Sequence, residues 1–447
     1  MNVPVKTLSI AVVAALAVVG CGKKEEPKAA APAAGAPAAA APAPAAAPLV
    51  IKLGHSAPLT GPQAHLGKDN EYGARLAIED ANAAKIKIGG RDATFELVAE
   101  DDQADPKQGT TVATKFVDAK VNAVIGHLNS GTTIPASKIY SDAGILQVSP
   151  SATNPAYTKQ GFKTAYRVMP NDEQQGKVLG DYAVNNLQAK TVAVVDDKTA
   201  YGEGVAVEFK KAATAAGAQI VADEHTDDKA VDFAAILTKI KGKKPDLIFY
   251  GGMDAQAGPT AAQMKKLGVK AKFLMADGGC TTEFHKLAGD AAAGSYCSLP
   301  GVPLEKMPGG STFKERFNKK FNVEIQLYAP YVYDAVMVVV DSIKRADSAE
   351  PAKIVAAMPK TDYQGVTAKI NFDEKGDIKN GAITLYVAKD GKWSALDTVG
   401  GGAAGMSGMS GMSGMSGMSG MAGMGGMAGM AGMAGGAAAE AKPGEKK

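Results

Sequence analysis

Along the middle of the chain, short unbroken apolar runs take turns with longer stretches whose apolar positions recur at helical spacing. Val121–Ile125, Ile145–Val148, Val192–Val195, Leu247–Tyr250 and Phe273–Met275 are brief runs rich in β-branched and aromatic residues. Runs of that kind predict strands covered on both faces. Leu53 sits in a first strand, Phe95–Val98 reads as another, and Gln219–Ala222 as one more. Between them, Tyr72, Leu76, Ile78 and Ala81 form one helical stripe, and Thr111–Val117, Val205–Ala216, Phe233–Ile240 and Ala261–Leu267 form others. Strands alternating with helices imply βαβ units, and two successive runs of such units predict an α/β protein of two doubly wound, mainly parallel sheets.

The turns that follow two of these strands carry small hydroxyl residues. Ser130 comes after the Val121–Ile125 run, and Ser149, Ser151 and Thr153 come at or after the end of the next. In an open α/β sheet, ligands gather beyond the carboxyl ends of the strands, where the free N–H groups of the following helix favour an anion. A carboxylate fits such a place. Serine and threonine at these positions also serve as ordinary N-caps and turn formers.

The two ends of the chain differ from its body. Lys6 precedes an apolar run from Leu8 to Val19, followed by Gly20 and Cys21. That run is too short to span a bilayer and has the layout of a secretory signal, residues 1–20. Val18-Val19-Gly20-Cys21 resembles a lipobox, in which Cys21 becomes the lipid-modified first residue of a membrane-anchored protein. Residues 21–49 are expected to be a linker, almost entirely Ala and Pro after a charged start. Its prolines favour an extended leash with a reach on the order of 80 Å. From Gly405 to Met433 a Gly-Met pair recurs every third residue. Without an amphipathic face, that tract (400–447) is expected to be a disordered tail. Repeated thioethers also suit Cu(I).

Net charge is +3 with 49 basic and 46 acidic residues, and the charges are interspersed, so nothing points to nucleic acid. Catalytic motifs are missing. There is no Walker loop and no Gly-x-Ser-x-Gly, and Val207 stands where a dinucleotide fingerprint starting at Gly202 needs a third glycine. The histidines at 55, 65, 127, 225 and 285 are scattered without metal-ligand spacing. No enzyme activity, cofactor or metal is therefore expected. Cys280 and Cys297 are the only cysteines of the body, and in an oxidising compartment two such residues are expected to be bridged.

Six segments together resemble one family: EDDQADPKQ (Glu100–Gln108), VIGHLNS (Val124–Ser130), DKTAYGEG (Asp197–Gly204), FYGG (Phe249–Gly252), LAGDAAAG (Leu287–Gly294) and NFDEKGD (Asn371–Asp377). They occur in the order found in the periplasmic leucine/isoleucine/valine-binding proteins that serve ABC importers, and the likeness runs from about Val50 to Val399. The resemblance implies a two-lobed type I periplasmic-binding fold. Lobe 1 would comprise 50–170 and 300–372, and lobe 2 would comprise 171–299 and 373–399. Hinge crossings would lie near Pro170, Pro300 and Asp373, with ligand binding favouring closure.

Carried over by resemblance, Ser130 and Thr153 match donors to a ligand carboxylate, and Ser151 matches a backbone carbonyl facing the ammonium. Asp277 stands where relatives have a glutamate that pairs with the ammonium. Tyr201 matches an aromatic of the second lobe, and Tyr328 matches a Phe against the ligand side chain. Two positions depart from the family: Leu66 replaces a Tyr or Trp, and Met253 replaces a Tyr after YGG. The first-lobe bridge of some relatives is absent, its positions being Ala104 and Asn129. The expectation is a monomeric, lipid-anchored solute-binding protein for branched-chain or related apolar amino acids, working with an ABC permease. Two alternatives stand beside it: an envelope sensor or metal-handling lipoprotein that uses the Met-rich tail, and an amide receptor on the same fold.

Overall fold

The computed structural model describes residues 47–401. Cys21, the signal segment, the linker up to residue 46 and the tail from residue 402 lie outside the described residues. Strands β1 (Leu49–Ala57), β2 (Lys87–Ile88), β3 (Arg91–Asp101), β4 (Ala123–Gly126), β5 (Leu146–Ser149) and β6 (Ala165–Arg167) form one sheet in the order β2-β3-β1-β4-β5-β6. All its pairings are parallel except that of the short edge strand β2. The folded body begins at Leu49, one residue inside the stretch read as linker.

A second sheet is built from β7 (Thr191–Asp196), β8 (Gln219–His225), β9 (Leu247–Gly251), β10 (Lys272–Met275) and β11 (Tyr296–Pro300). After a small antiparallel pair, β12 (Tyr363–Gln364) and β13 (Lys369–Ile370), it is completed by β14 (Ala382–Lys389) and β15 (Lys392–Gly400). The order is β15-β14-β11-β10-β9-β7-β8, with β14 and β15 antiparallel at one edge. Every residue of β4, β5 and β9 is buried, which is why these strands read as continuous apolar runs rather than as alternation. Phe209 on a covering helix stacks on Phe249 of β9, centroids 3.9 Å apart.

The chain passes between the sheets at the ends of β6, β11 and the segment before β14. After β11, helices Gly310–Phe321 and Ala329–Ala346 return to the first lobe, where Phe313, Phe317 and Ala329 pack with Leu76. The third passage lies just beyond Asp377, a few residues past the Asp373 neighbourhood expected for it. Its cause is the fully buried Arg167 on β6, whose guanidinium donates to Ala152 O at 2.7 Å and Asn154 O at 3.0 Å and pairs with Asp377 at 2.7 Å. A buried guanidinium needs a carboxylate, so residues up to Asp377 stay with the first lobe. Gly376, at φ +94°, makes the turn, and a Cβ there would meet Ala165 O at 2.2 Å.

In the second lobe, Cys280 and Cys297 are joined as a disulfide, Cα atoms 5.5 Å apart, tying the turn after β10 to β11. Among the described residues, no helix is long and apolar enough to cross a membrane, and no cluster of His, Cys, Asp and Glu is placed to hold a metal ion.

Candidate functional site

Two parallel strands of lobe 1 end side by side, with Ile125 of β4 opposite Val148 of β5, so their following loops form one wall. The loop after β4 leads into helix Ser130–Asp142, whose N-terminus has no side-chain cap. Its first N–H groups are thus left for another acceptor. Ser130 is buried, and its hydroxyl accepts from Asn154 N at 3.2 Å. Ser149 braces the second loop: its hydroxyl accepts from Ala152 N at 3.0 Å and donates to His127 O at 3.2 Å. The Ser151 hydroxyl donates to Leu128 O at 3.1 Å, which commits it to holding the two loops together. Thr153 is fully buried, and its hydroxyl has no hydrogen-bond partner among the described residues.

The facing wall belongs mainly to lobe 2. Asp277 follows β10 in a short Asp-Gly-Gly turn and is 1% exposed. Its Oδ1 accepts from the Tyr201 hydroxyl at 2.8 Å and from Gln175 Nε2 at 3.1 Å, and its Oδ2 accepts from the Tyr328 hydroxyl at 2.7 Å. Tyr201 stands at the start of helix Ala200–Ala215, which Thr199 caps, and its hydroxyl in turn accepts from Gly278 N at 2.8 Å. Glycine is required at 278: a Cβ there would meet Met253 Sδ and Tyr201 Cε1, each at 2.8 Å. Burial pushes the Asp277 pKa above the ordinary carboxylate value, against the opposing effect of its Tyr328, Tyr201 and Gln175 donors.

Tyr328 comes from lobe 1, so its bond to Asp277 spans the cleft. It is set in place by Asp69, whose carboxylate accepts from the N–H groups of Gln326, Leu327, Tyr328 and Ala329. The expected contact of this ring with a ligand side chain is thus joined by a polar duty of its hydroxyl. Leu66 and Met253 are buried in the same apolar cluster as Tyr201 and Tyr328.

The structure therefore brings Tyr201 and Tyr328 onto Asp277 and Met253 beside Gly278, and places Ser130, Ser151 and Thr153 on the loops of the other wall. Sequence reasoning missed Gln175 and Asp172, both fully buried on helix Asp172–Asn185. It also missed a pair at the rim, where His65 Nε2 lies 2.8 Å from Asp254 Oδ2 across the two lobes. Burial alone would lower the His65 pKa, but the hydrogen bond and charge of Asp254 raise it. Thr282 and Gln326 make a second crossing at 2.9 Å, and Asn154 donates to Ala200 O as a third. The only legible signal for Gln175 was its place one helical turn after a capped start, which is common to many helices.

Known proteins resemble the chain over this whole body. The family model described as "Periplasmic binding protein" matches residues 50–392. The Leu/Ile/Val-binding protein homolog 1 of Brucella abortus is 36% identical over 350 residues, covering 77% of this chain and 93% of that protein. A leucine-, isoleucine-, valine-, threonine-, and alanine-binding protein of Pseudomonas aeruginosa is 36% identical over 337 residues, covering 75% and 89%. Among solved structures, a leucine-binding protein of Thermotoga maritima aligns with TM-score 0.73 at 27% identity, over 78% of this chain and 98% of that one. A branched-chain amino acid substrate-binding protein of Streptococcus pneumoniae, in complex with isoleucine, aligns with TM-score 0.72 at 29% identity, over 78% and 99%. The fold is the two-lobed type I fold of these neighbours, and the family is one of solute binders rather than enzymes. The chain belongs to the periplasmic binding protein family, among the relatives of the Leu/Ile/Val-binding proteins.

Proposed function

We propose that the chain is the extracytoplasmic solute-binding component of an ABC importer and takes a branched-chain or related apolar α-amino acid between its lobes. One observation carries this: Asp277 is buried, receives three neutral donors, and has no cationic partner among the described residues. A buried carboxylate in that setting is best matched by an ammonium, and charge-assisted hydrogen bonds contribute about 1.5–3 kcal/mol each. Ser130, Thr153 and the uncapped helix start at Ser130 supply donors for the other end of a zwitterion. Leu66, Met253 and the rings of Tyr201 and Tyr328 supply apolar surface for its side chain. Relatives known as leucine-, isoleucine- and valine-binding proteins support the same class.

A thermal-shift screen of the twenty amino acids, small amides and deaminated analogues tests the reading. Leucine, isoleucine or valine should raise the melting temperature, since a ligand at 100 times its Kd adds about 2.7 kcal/mol. Equal stabilisation by 4-methylpentanoate, which is leucine without its amino group, would sink it, and selective stabilisation by uncharged amides would favour the amide receptor. We also propose that Cys21 is acylated and holds the protein at a membrane surface, where it meets its permease as a monomer. Cys21→Ser should then appear in the soluble fraction or remain unprocessed, and normal membrane retention of that variant would refute the anchor.

A further inference from the structure

Asp172 opens helix Asp172–Asn185, yet it does not cap it. The cap is Asn171, whose side chain accepts from Glu173 N and Gln174 N. Asp172 instead turns inward, is fully buried, and both its carboxylate oxygens lack any hydrogen-bond partner among the described residues. Its backbone N–H donates to Thr153 O at 2.9 Å, fixing it against the lobe 1 wall of the cleft. The Thr153 hydroxyl is close enough to act on the Asp172 carboxyl, but no hydrogen bond of ordinary geometry joins them. Two buried polar groups side by side, neither with a hydrogen-bond partner among the described residues, are unfavourable unless a proton or ligand resolves them.

The charges that face Asp172 do not favour a second anion there. Asp277 and Glu208 act on it unfavourably, Arg167 favourably, and the Tyr201 and Tyr328 hydroxyls lie within its field. Arg167, however, is committed to Asp377 and two backbone carbonyls. Burial and then the Asp277 charge push the Asp172 pKa well above the ordinary value. The two acids of the cleft are thus unequal: Asp277 accepts three hydrogen bonds that favour its ionised form, and Asp172 accepts none of ordinary geometry, with only the nearby Thr153 hydroxyl and the field of Arg167 acting in that direction.

We propose that Asp172 is a positioning residue that works as a neutral acid: its O–H donates to the Thr153 hydroxyl oxygen and so turns the Thr153 O–H toward the ligand carboxylate. The inference rests on the amino-acid reading above, with Thr153 on the carboxylate. If Asp172 were ionised, the Thr153 hydroxyl would donate to it instead and present only lone pairs to the ligand. The charge on one side chain thereby sets the direction of a hydrogen bond made by its neighbour.

The test compares leucine binding by wild type, Asp172→Asn and Asp172→Ala, using calorimetry from pH 6 to pH 9. The asparagine amide donates to Thr153 at every pH. Asp172→Asn should therefore bind within about threefold of wild type at pH 6 and outbind it by about fivefold once wild-type Asp172 ionises. Asp172→Ala should lose about tenfold at pH 6, with asparagine rescuing that loss. The ligand's own ionisation is common to all three proteins and cancels in the ratio, and because Asp277 is coupled to Asp172 the same comparison is repeated in the Asp277→Asn background. An Asp172→Asn affinity below wild type by one constant factor at all pH values would show a merely structural acid and overturn the inference. If Asp172→Ala fails to fold, the wild-type to asparagine ratio decides alone. Absence of leucine binding by wild type at every pH would instead remove the amino-acid reading on which the inference stands.

Discussion

The wall of the cleft formed by lobe 1 presents Ser130, Ser151 and Thr153, neutral hydroxyls at the ends of two parallel strands, and the Arg167 guanidinium behind them is tied to Asp377. The wall formed mainly by lobe 2 presents Asp277 with Asp172 beside it, both buried and neither in an ion pair among the described residues. On the proposed reading, the first wall would meet a ligand's negative charge with several weak, distributed donors. The second concentrates its own negative charge on one side chain, Asp277. A substitution in the first should therefore be partly covered by the remaining N–H groups, whereas a substitution in the second should not. Lobe 2 is also the lobe that carries the disulfide.

The largest expected effect concerns that covalent difference. Cys280 and Cys297 are 17 residues apart, and opening a loop of that length should cost about 3 kcal/mol of stability. Reduction, or Cys280→Ala with Cys297→Ala, should lower the denaturation midpoint of the protein while leaving lobe 1 amides protected from hydrogen exchange. Equal loss of protection in both lobes would show that the lobes do not unfold separately.

Next in size is the acid. Asp277→Ala leaves a desolvated ammonium without its anion and strands the Tyr201 and Tyr328 hydroxyls. It should cost about 2 to 3 kcal/mol, on the order of 30-fold or more in Kd for leucine. Thr153→Val removes one hydroxyl while backbone donors remain, and about 1 to 2 kcal/mol is expected. If the two losses are equal by calorimetry, the contrast between concentrated and distributed charge is wrong.

The pH response of Asp277 follows from its raised pKa. A group whose folded-state pKa lies above its unfolded value stabilises the fold most at low pH, and that contribution is lost as pH rises through the folded value. The ammonium, however, needs the ionised form. Around the titration of Asp277, above the ordinary carboxylate range, its contribution to ligand-free stability should fall with rising pH while leucine affinity rises. Melting curves and calorimetry on wild type and Asp277→Asn check this, since the variant should lose both trends. Smallest of all, removal of residues 402–447 should change leucine affinity by less than about twofold, because the sheets and the cleft are complete by Gly401. A tenfold change would make the tail part of the site.

Much of this arrangement could be read along the chain because parallel strands buried on both faces leave an unmistakable pattern. Val124–Gly126 and Leu146–Ser149 are of that kind, and the hydroxyl residues just past them lie where such sheets collect ligands. Asp277 was visible through family resemblance, not through spacing. Asp172 was not visible, because Asn171-Asp172-Glu173 reads as an ordinary acidic helix start, and only the fold turns the middle residue inward. His65 and Asp254 are 189 residues apart, and no local pattern announces a pair assembled from different lobes. The third hinge passage was placed a few residues early for a related reason: Arg167 is 210 residues from Asp377, and its demand for a counterion outweighed the turn chemistry of Asn371–Gly376.

The bond from the Tyr328 hydroxyl to Asp277 has a kinetic meaning. If Asp277 holds the ligand ammonium as proposed, the same carboxylate is also held from the opposite lobe, and exchange of the amino acid should require that bond to open. Residence time is then governed by how often the lobes separate rather than by how tightly any one contact grips. A transporter that pries the lobes apart would break the Tyr328, His65 and Thr282 bridges together, converting a slow leak into a timed discharge.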